Sequence, residues 1–450
     1  MLKTDRDANS RGVLGVSRFV VAAHLLFAVN LLAQPSAKAV VRAPVAGVRE
    51  ALLTVNHVRV PSKAFNTARD IFIWQPDAES PTAAKYPVLV FPDAEETGQF
   101  RAALANVQFL IDRRLIPPMI VVGIPYLANR SHELSPTATG PTARNYPKAG
   151  GADQTLQFIV DELLPWVDAR YPTMPVRILA GHSLGGLLAL YAMESRPDVF
   201  RIVIAMSPAV FWNGGATGDS IALRLATDTV RPRTLFVTSG GQEAFIDVPT
   251  TAFAARMTAL LDSVKTNHQL RYERREYPRD AHSMTPLPSL VDGLRMAFEP
   301  VLVPADSVVT EFSKRSVQDS VEIKSAVDQL ESRYAAGSAF LGVPGVFPEE
   351  ALDLLGSYAL QAKQANLAVT LLRENRDRYP NSSNAHESLG EALVAAGDTA
   401  RAVAEFRSSV TLATVESKAA SVIVRGQARA VMAAAQAQLQ SLHASGARDN

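Results

Sequence analysis

A serine at the centre of a glycine-bounded turn is the residue of this chain whose setting best supports covalent chemistry. Residues 181–185 are Gly-His-Ser-Leu-Gly, and the apolar run before them predicts a buried strand. A second apolar run predicts a helix packed on the sheet, the context that gives a Gly-x-Ser-x-Gly motif its meaning. In so sharp a turn, a Cβ at Gly181 or Gly185 would crowd the neighbouring backbone. The N–H of Leu184 could then face a developing oxyanion, so the motif predicts Ser183 as a nucleophile. The alternative is an ordinary turn with a solvent-facing serine.

A serine hydroxyl is a poor nucleophile at neutral pH, so Ser183 needs a base. In folds that carry this motif, the chain order is serine, then acid, then histidine. His282 lies in a loop after a strand-like segment and fits that order. The acid that orients it should follow the buried strand predicted over 234–238, where both Glu243 and Asp247 qualify. We expect Glu243, because it is closer to the strand end, with Asp247 as the alternative.

The composition limits the other function classes. The 450 residues are 47% hydrophobic and 20% charged, which indicates a globular protein of two or three domains. The formal net charge of +1 gives no reason to expect nucleic acid as a partner. The absence of cysteine excludes disulfides, a cysteine nucleophile and thiolate metal sites. A serine mechanism also requires neither a metal nor an organic cofactor, so we expect none.

The first 39 residues have the pattern of a secretory signal. Basic residues precede a short apolar run over 19–32, and small residues over 37–39 form a cleavage site. The run is short for a membrane span, and His24 and Asn30 weaken it further. We therefore expect an exported protein, periplasmic or secreted, with no membrane span after cleavage. The alternative is an uncleaved membrane anchor.

Residues 40–300 alternate strand and helix patterns, among them a helix predicted from Asp153 to Tyr171. This alternation predicts an α/β fold with a doubly wound, mostly parallel sheet, whose ligands bind at the carboxyl ends of the strands. A long polar loop over 126–151 is expected to carry function, because loops of that length in compact domains usually do. Together with an aromatic pair that follows the strand predicted over 203–208, it predicts a pocket for a bulky or aromatic acyl ester. The residues expected in this pocket are Arg130, His132, Phe211 and Trp212.

Several separated motifs in this region resemble the esterase family of α/β-hydrolases that includes enterochelin (siderophore) esterases and esterase D. The motifs are Val122-Gly123-Ile124-Pro125, the run from Arg130 to Pro136, Gly151-Ala152-Asp153, Leu164-Pro165, Tyr171, the run from Ile178 to Gly186, Ser207-Pro208 and Ala281-His282-Ser283. The resemblance implies Ser183 as nucleophile, His282 as base and an acid after the strand over 234–238. It also implies a second oxyanion donor in the loop after Asp93, where Ala94 stands in place of the expected glycine. His132 and Glu133 replace the family's more frequent Arg-Asp, a departure that bears on the substrate.

The chain beyond Pro300 has a different character. Residues 301–348 predict a helical linker that ends in a Gly/Pro-bearing connector over 337–348, and residues 349–450 contain a repeat with a 34-residue offset. The recurring pairs are Leu355 and Leu389, Gly356 and Gly390, Ala368 and Ala402, and Leu372 and Phe406. This pattern resembles tetratricopeptide repeats, which pair antiparallel helices and bind protein partners or self-associate. The alternative is an unrelated helical tail.

These observations leave three hypotheses for function. The leading one is an exported serine ester hydrolase that forms an acyl-enzyme on a small-molecule ester, such as a siderophore or an aryl or acyl ester. The second is a scaffold whose repeats bind partners while its hydrolase region is inert. The third is transfer of the acyl group to an acceptor other than water.

Overall fold

The computed structural model describes residues 53–76, 85–95, 98–228, 232–243, 269–302, 320–342, 347–419 and 422–446. The signal predicted over 1–39 and the alternative acid Asp247 lie outside these residues.

Eight strands form a single sheet in the described part of the chain. They are β1 (Asn56–Ser62), β2 (Thr67–Trp74), β3 (Tyr86–Pro92), β4 (Ile120–Ile124), β5 (Thr173–His182), β6 (Ile202–Met206), β7 (Arg233–Gly240) and β8 (Leu270–Tyr277). Their spatial order is β1-β2-β4-β3-β5-β6-β7-β8. Strand β2 is antiparallel to both β1 and β4, and all other pairs are parallel. The predicted doubly wound, mostly parallel sheet is confirmed.

Helices cover both faces of this sheet. They are α1 (Gly98–Asp112), α2 (Arg130–Leu134), α3 (Gly140–Asn145), α4 (Ala152–Gln157), α5 (Leu164–Asp168), α6 (Leu184–Ser195), α7 (Ala216–Thr227) and α8 (Pro286–Phe298). Helices α4, α6 and α7 pack on one face, and α1 and α8 pack on the other. Strands β4, β6 and β7 are consequently buried along their whole length, as parallel strands between two helical layers must be.

The helix predicted from Asp153 to Tyr171 contains a wider turn. Helices α4 and α5 are joined by a π-helical segment over Phe158–Leu163, and α5 ends at Asp168. Pro165 is the second residue after the π-helical segment. Because proline has no N–H and its ring clashes with the carbonyl four residues earlier, regular α-helical bonding cannot continue through this position.

The chain after the sheet is helical. Its helices are α9 (Ser320–Leu341), α10 (Glu349–Gln361), α11 (Ala365–Arg378), α12 (Ser383–Ala395), α13 (Thr399–Glu416) and α14 (Val422–Gly446). Gly356 of α10 faces Leu372 of α11, and Gly390 of α12 faces Phe406 of α13. The 34-residue offset therefore describes two similar helical hairpins, each closed by a glycine that lets its helices approach. No helix in the described ranges is long and apolar enough to cross a lipid bilayer.

Helix α9 corrects the predicted connector. Gly337 was expected to open a Gly/Pro-bearing connector, but it lies inside α9, where a Cβ would be 2.2 Å from the carbonyl oxygen of Pro300. Leu341 near the end of α9 belongs to the apolar core of the sheet region, whereas Val327 and Leu330 belong to the core of the helical region. The close approach at Gly337 is what allows one helix to pack on both.

Candidate active site

Ser183 occupies a strained turn between β5 and α6. Its φ of 59° and ψ of −115° are conformations that residues other than glycine rarely adopt. Three backbone hydrogen bonds of 3.0 Å hold Ser183 in this strained conformation. Its N–H donates to the Met206 carbonyl, and its carbonyl accepts from the N–H groups of Leu187 and Ala209. Ser183 remains partly exposed at the carboxyl edge of the sheet. Helix α6 begins at Leu184, so its first N–H groups have no acceptors within the helix and point towards the serine.

The glycines around this turn have different roles from those predicted. A Cβ at Gly181 would lie 2.2 Å from the carbonyl oxygen of Gly185, which confirms the expectation for Gly181. A Cβ at Gly185 would meet only side-chain atoms, the nearest 3.4 Å away on Asp93, so the expected backbone clash there is wrong. The second tight position is Gly186, where a Cβ would lie 3.0 Å from both the Gly181 oxygen and the Pro208 Cα. The start of α6 is the segment that approaches the neighbouring backbone.

The structure brings Glu243 and His282 together beside this turn. Glu243 lies three residues beyond β7, and His282 lies in the loop between β8 and α8. Nδ1 of His282 is 3.4 Å from Oε2 of Glu243, with the glutamate side chain fully buried and the histidine side chain 28% exposed. This separation is longer than a hydrogen bond, and such contacts in ligand-free sites commonly tighten when substrate binds.

Hydrogen bonds keep Glu243 ionised despite its burial. Burial alone raises the pKa of Glu243, but the neighbouring His282 and the hydrogen bonds from Ser207 and the Gly240 N–H outweigh it and lower the pKa below its usual value. The Ser207 hydroxyl is 2.8 Å from Oε1, and the Gly240 nitrogen is 3.0 Å from the same atom. The carboxylate therefore carries its charge at neutral pH and can stabilise a protonated His282.

Two buried hydroxyls close a ring around this pair. The Ser207 hydroxyl also lies 2.8 Å from Oγ1 of Thr285, and that Thr285 hydroxyl donates to the His282 carbonyl at 3.0 Å. The single proton of Ser207 is shared between the Glu243 carboxylate, the stronger acceptor, and Oγ1 of Thr285. Ser207 and Thr285 are both fully buried. Sequence reasoning assigned neither of them a role, although the place of Ser207 directly after β6, at the carboxyl edge of the sheet, was a signal that could have found it.

His182 contacts the other side of the same loop. Its Nε2–H donates to the His282 carbonyl at 2.9 Å, and the two rings lie 4.3 Å apart between centroids. Burial, and then the neighbouring His282, lower the pKa of His182 to about 3. His182 is therefore a neutral hydrogen-bond donor at physiological pH.

Arg130 was expected in the substrate pocket, but the structure pairs it with Asp93. Its Nε lies 2.7 Å from Oδ1 and its Nη2 lies 2.5 Å from Oδ2 of Asp93, and Nη2 also donates to the His182 carbonyl at 3.2 Å. Asp93 is buried and has a positive φ of 65°. Burial raises the pKa of Asp93, while the Arg130 hydrogen bonds act in the opposite direction. The pair therefore joins the loop after β3 to the strand that carries Ser183.

The backbone of Ala94 does not fit the predicted oxyanion role. Its N–H donates to the Ile124 carbonyl at 3.2 Å, which continues the parallel pairing of β3 with β4 beyond the end of β3. An N–H used in this way cannot also face an oxyanion. The next residue, Glu95, accepts the Tyr126 N–H through its side chain at 2.9 Å and stays partly exposed.

The other predicted pocket residues hold the loops in place. Trp212 is fully buried and donates through Nε1 to the Pro136 carbonyl at 3.0 Å, so it supports the loop from beneath and cannot line an open pocket. Phe211 is half-buried against the core. Nδ1 of His132 donates to the Lys148 carbonyl at 2.7 Å and so joins the two ends of the 126–151 loop.

A buried ion pair anchors that loop to the sheet. Arg69 of β2 and Glu133 of α2 are almost completely buried, and their side chains lie 2.8 Å apart. Glu133 also accepts the Leu127 N–H at 2.7 Å. The segment predicted as a long polar loop is thus an ordered unit that contains α2 and α3. In the part of the chain that the structure describes, no three His, Cys, Asp or Glu side chains are grouped to hold a metal ion.

Comparisons of the sequence with known proteins point to one family. The profile of the family described as "Putative esterase" matches residues 62–286, half of the chain. The ferri-bacillibactin esterase BesA of Bacillus subtilis is 32% identical over 166 residues, which are 34% of this chain and 57% of that protein. A siderophore triacetylfusarinine C esterase of Aspergillus fumigatus is 45% identical over 86 residues, which are 19% of this chain and 28% of that protein. The chain thus spans less than two thirds of the length of these relatives.

Solved structures share the fold. An IroE-like serine hydrolase from Shewanella oneidensis superposes with a TM-score of 0.59 at 22% identity, covering 72% of this chain and all of that one. A Capnocytophaga ochracea protein described as uncharacterised gives a TM-score of 0.57 at 16% identity and covers 85% of this chain and all of its own, so the likeness extends into the C-terminal helices. With its sheet, its strained serine turn and its match over residues 62–286, the chain belongs to the esterase family of the α/β-hydrolase fold.

Proposed function

We propose that this protein is a serine carboxylic-ester hydrolase that works through an acyl-enzyme. The observation that carries the proposal is the buried, ionised Glu243 beside His282, next to a serine held at a positive φ of 59°. A carboxylate, an imidazole and a strained serine at one sheet edge are the parts that acyl transfer requires.

In the proposed first step, the Ser183 oxygen attacks the ester carbonyl while Nε2 of His282 takes the hydroxyl proton. Nδ1 faces Glu243, which favours the tautomer with its proton on Nδ1 and leaves the lone pair on Nε2. The negative charge of Glu243 stabilises the imidazolium that forms. His282 then returns the proton to the leaving alcohol, and a water molecule activated by the same nitrogen releases the acid.

The proposed oxyanion site uses the N–H of Leu184 at the start of α6. The proposed second donor is the N–H of Glu95, which bonds its own carboxylate in this structure and would turn to the oxyanion once that carboxylate moves away; the N–H of Ala94 is bound to Ile124 at 3.2 Å. Removing one such donor typically costs about 10²- to 10³-fold in kcat. The Asp93–Arg130 pair supports this arrangement, because it joins the loop that carries Glu95 to the strand that carries Ser183.

The proposed substrate is a siderophore-like ester. Two relatives similar to this chain are named for the hydrolysis of siderophore esters, and this chain is 32% and 45% identical to them over the matched segments. We further propose that residues 1–39 direct export, that residues 40–300 form the catalytic domain, and that residues 349–450 are tetratricopeptide-like repeats for a protein partner or self-association. The paired Gly356–Leu372 and Gly390–Phe406 contacts support the repeat assignment.

The test compares Ser183→Ala with Ser195→Ala, a matched serine at the far end of the helix that Ser183 precedes, whose hydroxyl donates to the Tyr191 carbonyl. The purified full-length chain is given a siderophore trilactone, aryl esters and acyl thioesters, and serine labelling by a fluorophosphonate is recorded. We expect Ser183→Ala to lose more than about 10³-fold in kcat and all labelling, with Ser195→Ala unchanged. Equal turnover by the wild type and Ser183→Ala would refute the proposal. Product analysis with added alcohol separates hydrolysis from acyl transfer.

A further inference from the structure

The side chain of His182 has no part in the reaction described above, yet it contacts the proposed base directly. The two rings are tilted by 40° with centroids 4.3 Å apart. Nε2 of His182 lies 2.9 Å from the His282 carbonyl oxygen. Because a carbonyl only accepts, the proton of this hydrogen bond belongs to His182.

That carbonyl receives a second hydrogen bond from the opposite side. The Thr285 hydroxyl donates to it at 3.0 Å and is itself in contact with Ser207, which bonds Glu243. A carbonyl oxygen has two lone pairs, so these two donors satisfy it completely. Thr285 ties the backbone of the base to the acid, and His182 ties it to the serine turn.

The backbone of His182 is fixed as well. It ends β5, directly before Ser183, and its carbonyl accepts from Arg130, which is held by Asp93. The ring therefore projects from a rigid position. The titratable and charged groups around it are Arg130 on the helix after β4, His282 on the facing loop and Glu243 beyond β7. Its low pKa, caused first by burial, keeps the ring neutral and the donor proton in place.

We propose that His182 is a positioning residue whose Nε2–H fixes the loop of His282 against the serine turn. The base ring then keeps one distance to Ser183 while it takes up and returns the proton. This inference rests on the proposed function only in assigning the base role to His282; the hydrogen bond itself can be tested without turnover.

The experiment uses three substitutions in the full-length chain. His182→Gln keeps an N–H donor of similar reach, His182→Asn is polar but too short, and His182→Leu is apolar. His57→Gln is the matched control, because His57 is an exposed histidine that lies on β1 and pairs with Asp70. Kinetic constants and their pH dependence are measured on an aryl ester, and the His282 ring titration is followed by NMR with labelled histidine.

We expect His182→Leu and His182→Asn to lower kcat about 10- to 100-fold with KM within twofold, because a small misplacement of a catalytic group has costs of this size. Both variants should shift the His282 titration and the acid limb of the pH profile of kcat. His182→Gln should leave these two unshifted and keep kcat within a few fold of the wild-type value. The Asn variant preserves the test if Leu disturbs folding.

An unchanged His282 titration and an unchanged kcat in the Asn and Leu variants would overturn the inference. A loss in His182→Gln equal to that in His182→Leu would also overturn it. Failure of the proposed function would look different: the wild-type protein would show no ester turnover that is lost in Ser183→Ala. In that case a shifted His282 titration still supports the hydrogen bond as the device that positions the loop.

Discussion

The esterase region and the helical region each contain a histidine paired with a glutamate, and the two pairs are built differently. In the esterase region, His282 and Glu243 are 3.4 Å apart and the histidine side chain is 28% exposed. In the helical region, Nδ1 of His386 is 2.5 Å from Glu405 and the histidine side chain is 11% exposed. His386 also donates through Nε2 to the Pro380 carbonyl at 3.1 Å.

The difference lies in the second ring nitrogen. Both nitrogens of His386 face acceptors, so its ring is held as an imidazolium that links α12 to α13, and it has no nitrogen left for chemistry. Nε2 of His282 makes no hydrogen bond within the described ranges. Of these two pairs, only His282–Glu243 leaves a ring nitrogen available for the proton transfer proposed above.

Removing the carboxylate from each pair tests most directly whether the two pairs differ in function. Glu243→Gln keeps the size of the side chain but loses the charge that stabilises the imidazolium, so we expect kcat to fall about 10³- to 10⁴-fold with little change in KM. Glu405→Gln should leave kcat unchanged and lower the melting temperature. Equal kcat losses in the two variants would contradict the distinction between the pairs.

The crowded glycines of the two regions offer a second contrast. A Cβ at Gly181 meets backbone 2.2 Å away, whereas a Cβ at Gly356 meets the Leu372 side chain at 2.3 Å. Backbone cannot move aside without displacing the serine turn, but a leucine can repack. We expect Gly181→Ala to lower kcat more than about 10²-fold, and Gly356→Ala to cost about 1–3 kcal/mol of unfolding free energy with kcat unchanged. Kinetic measurements and urea unfolding of both variants test these two expectations. Wild-type activity in Gly181→Ala would contradict the first.

Acid should destabilise the esterase region through His182. Its folded pKa of about 3 lies below the ordinary value of 6.5, so the unfolded chain takes up the proton first as the pH falls. The loss of stability begins near pH 6.5 and reaches about 2 kcal/mol at pH 5. Urea unfolding at pH 7 and pH 5 measures it. His182→Gln should flatten this dependence, and a parallel decline in both proteins would argue against the assignment.

The helical region should respond to pH in the opposite sense. The pKa of His386 is raised, first by its hydrogen bond to Glu405, so the folded state holds the proton more tightly than the unfolded chain. This stabilisation is complete below the ordinary value of 6.5 and is lost as the pH rises through the raised folded value. We expect His386→Gln to cost about 1–2 kcal/mol at pH 6 and less at higher pH, measured by helical circular dichroism in urea. If the stability lost in His386→Gln grew with pH instead, the His386–Glu405 pair could not be its source.

The sequence predicted the parts of the site that follow from chain order and strand ends. Ser183 carries a recognisable motif directly after β5, and Glu243 and His282 lie in the segments that follow β7 and β8. Ser207 and Thr285 were missed because no sequence spacing identifies a hydroxyl that supports a site. The fold shows that Ser207 bonds the Glu243 carboxylate and that Thr285 bonds the His282 carbonyl.

The expectations that failed depended on features that sequence does not encode locally. The N–H of Ala94 is occupied because strand pairing runs past the end of β3. Trp212 is buried because the loop above it folds back through Pro136. Arg130 reaches Asp93, which lies 37 residues earlier in the chain. Each outcome is a tertiary contact that competes with the role its local sequence suggested.

Helix α9 contributes side chains to the apolar cores of both regions. Leu341 fills the core of the sheet region, while Val327 and Leu330, about three to four turns earlier on the same helix, fill the core of the hairpins. A chain cut after residue 302 would uncover the apolar patch that Leu341 occupies, and such patches promote aggregation. The esterase region is therefore not a module that can be excised at its family boundary: its solubility as a fragment depends on a helix that begins beyond it.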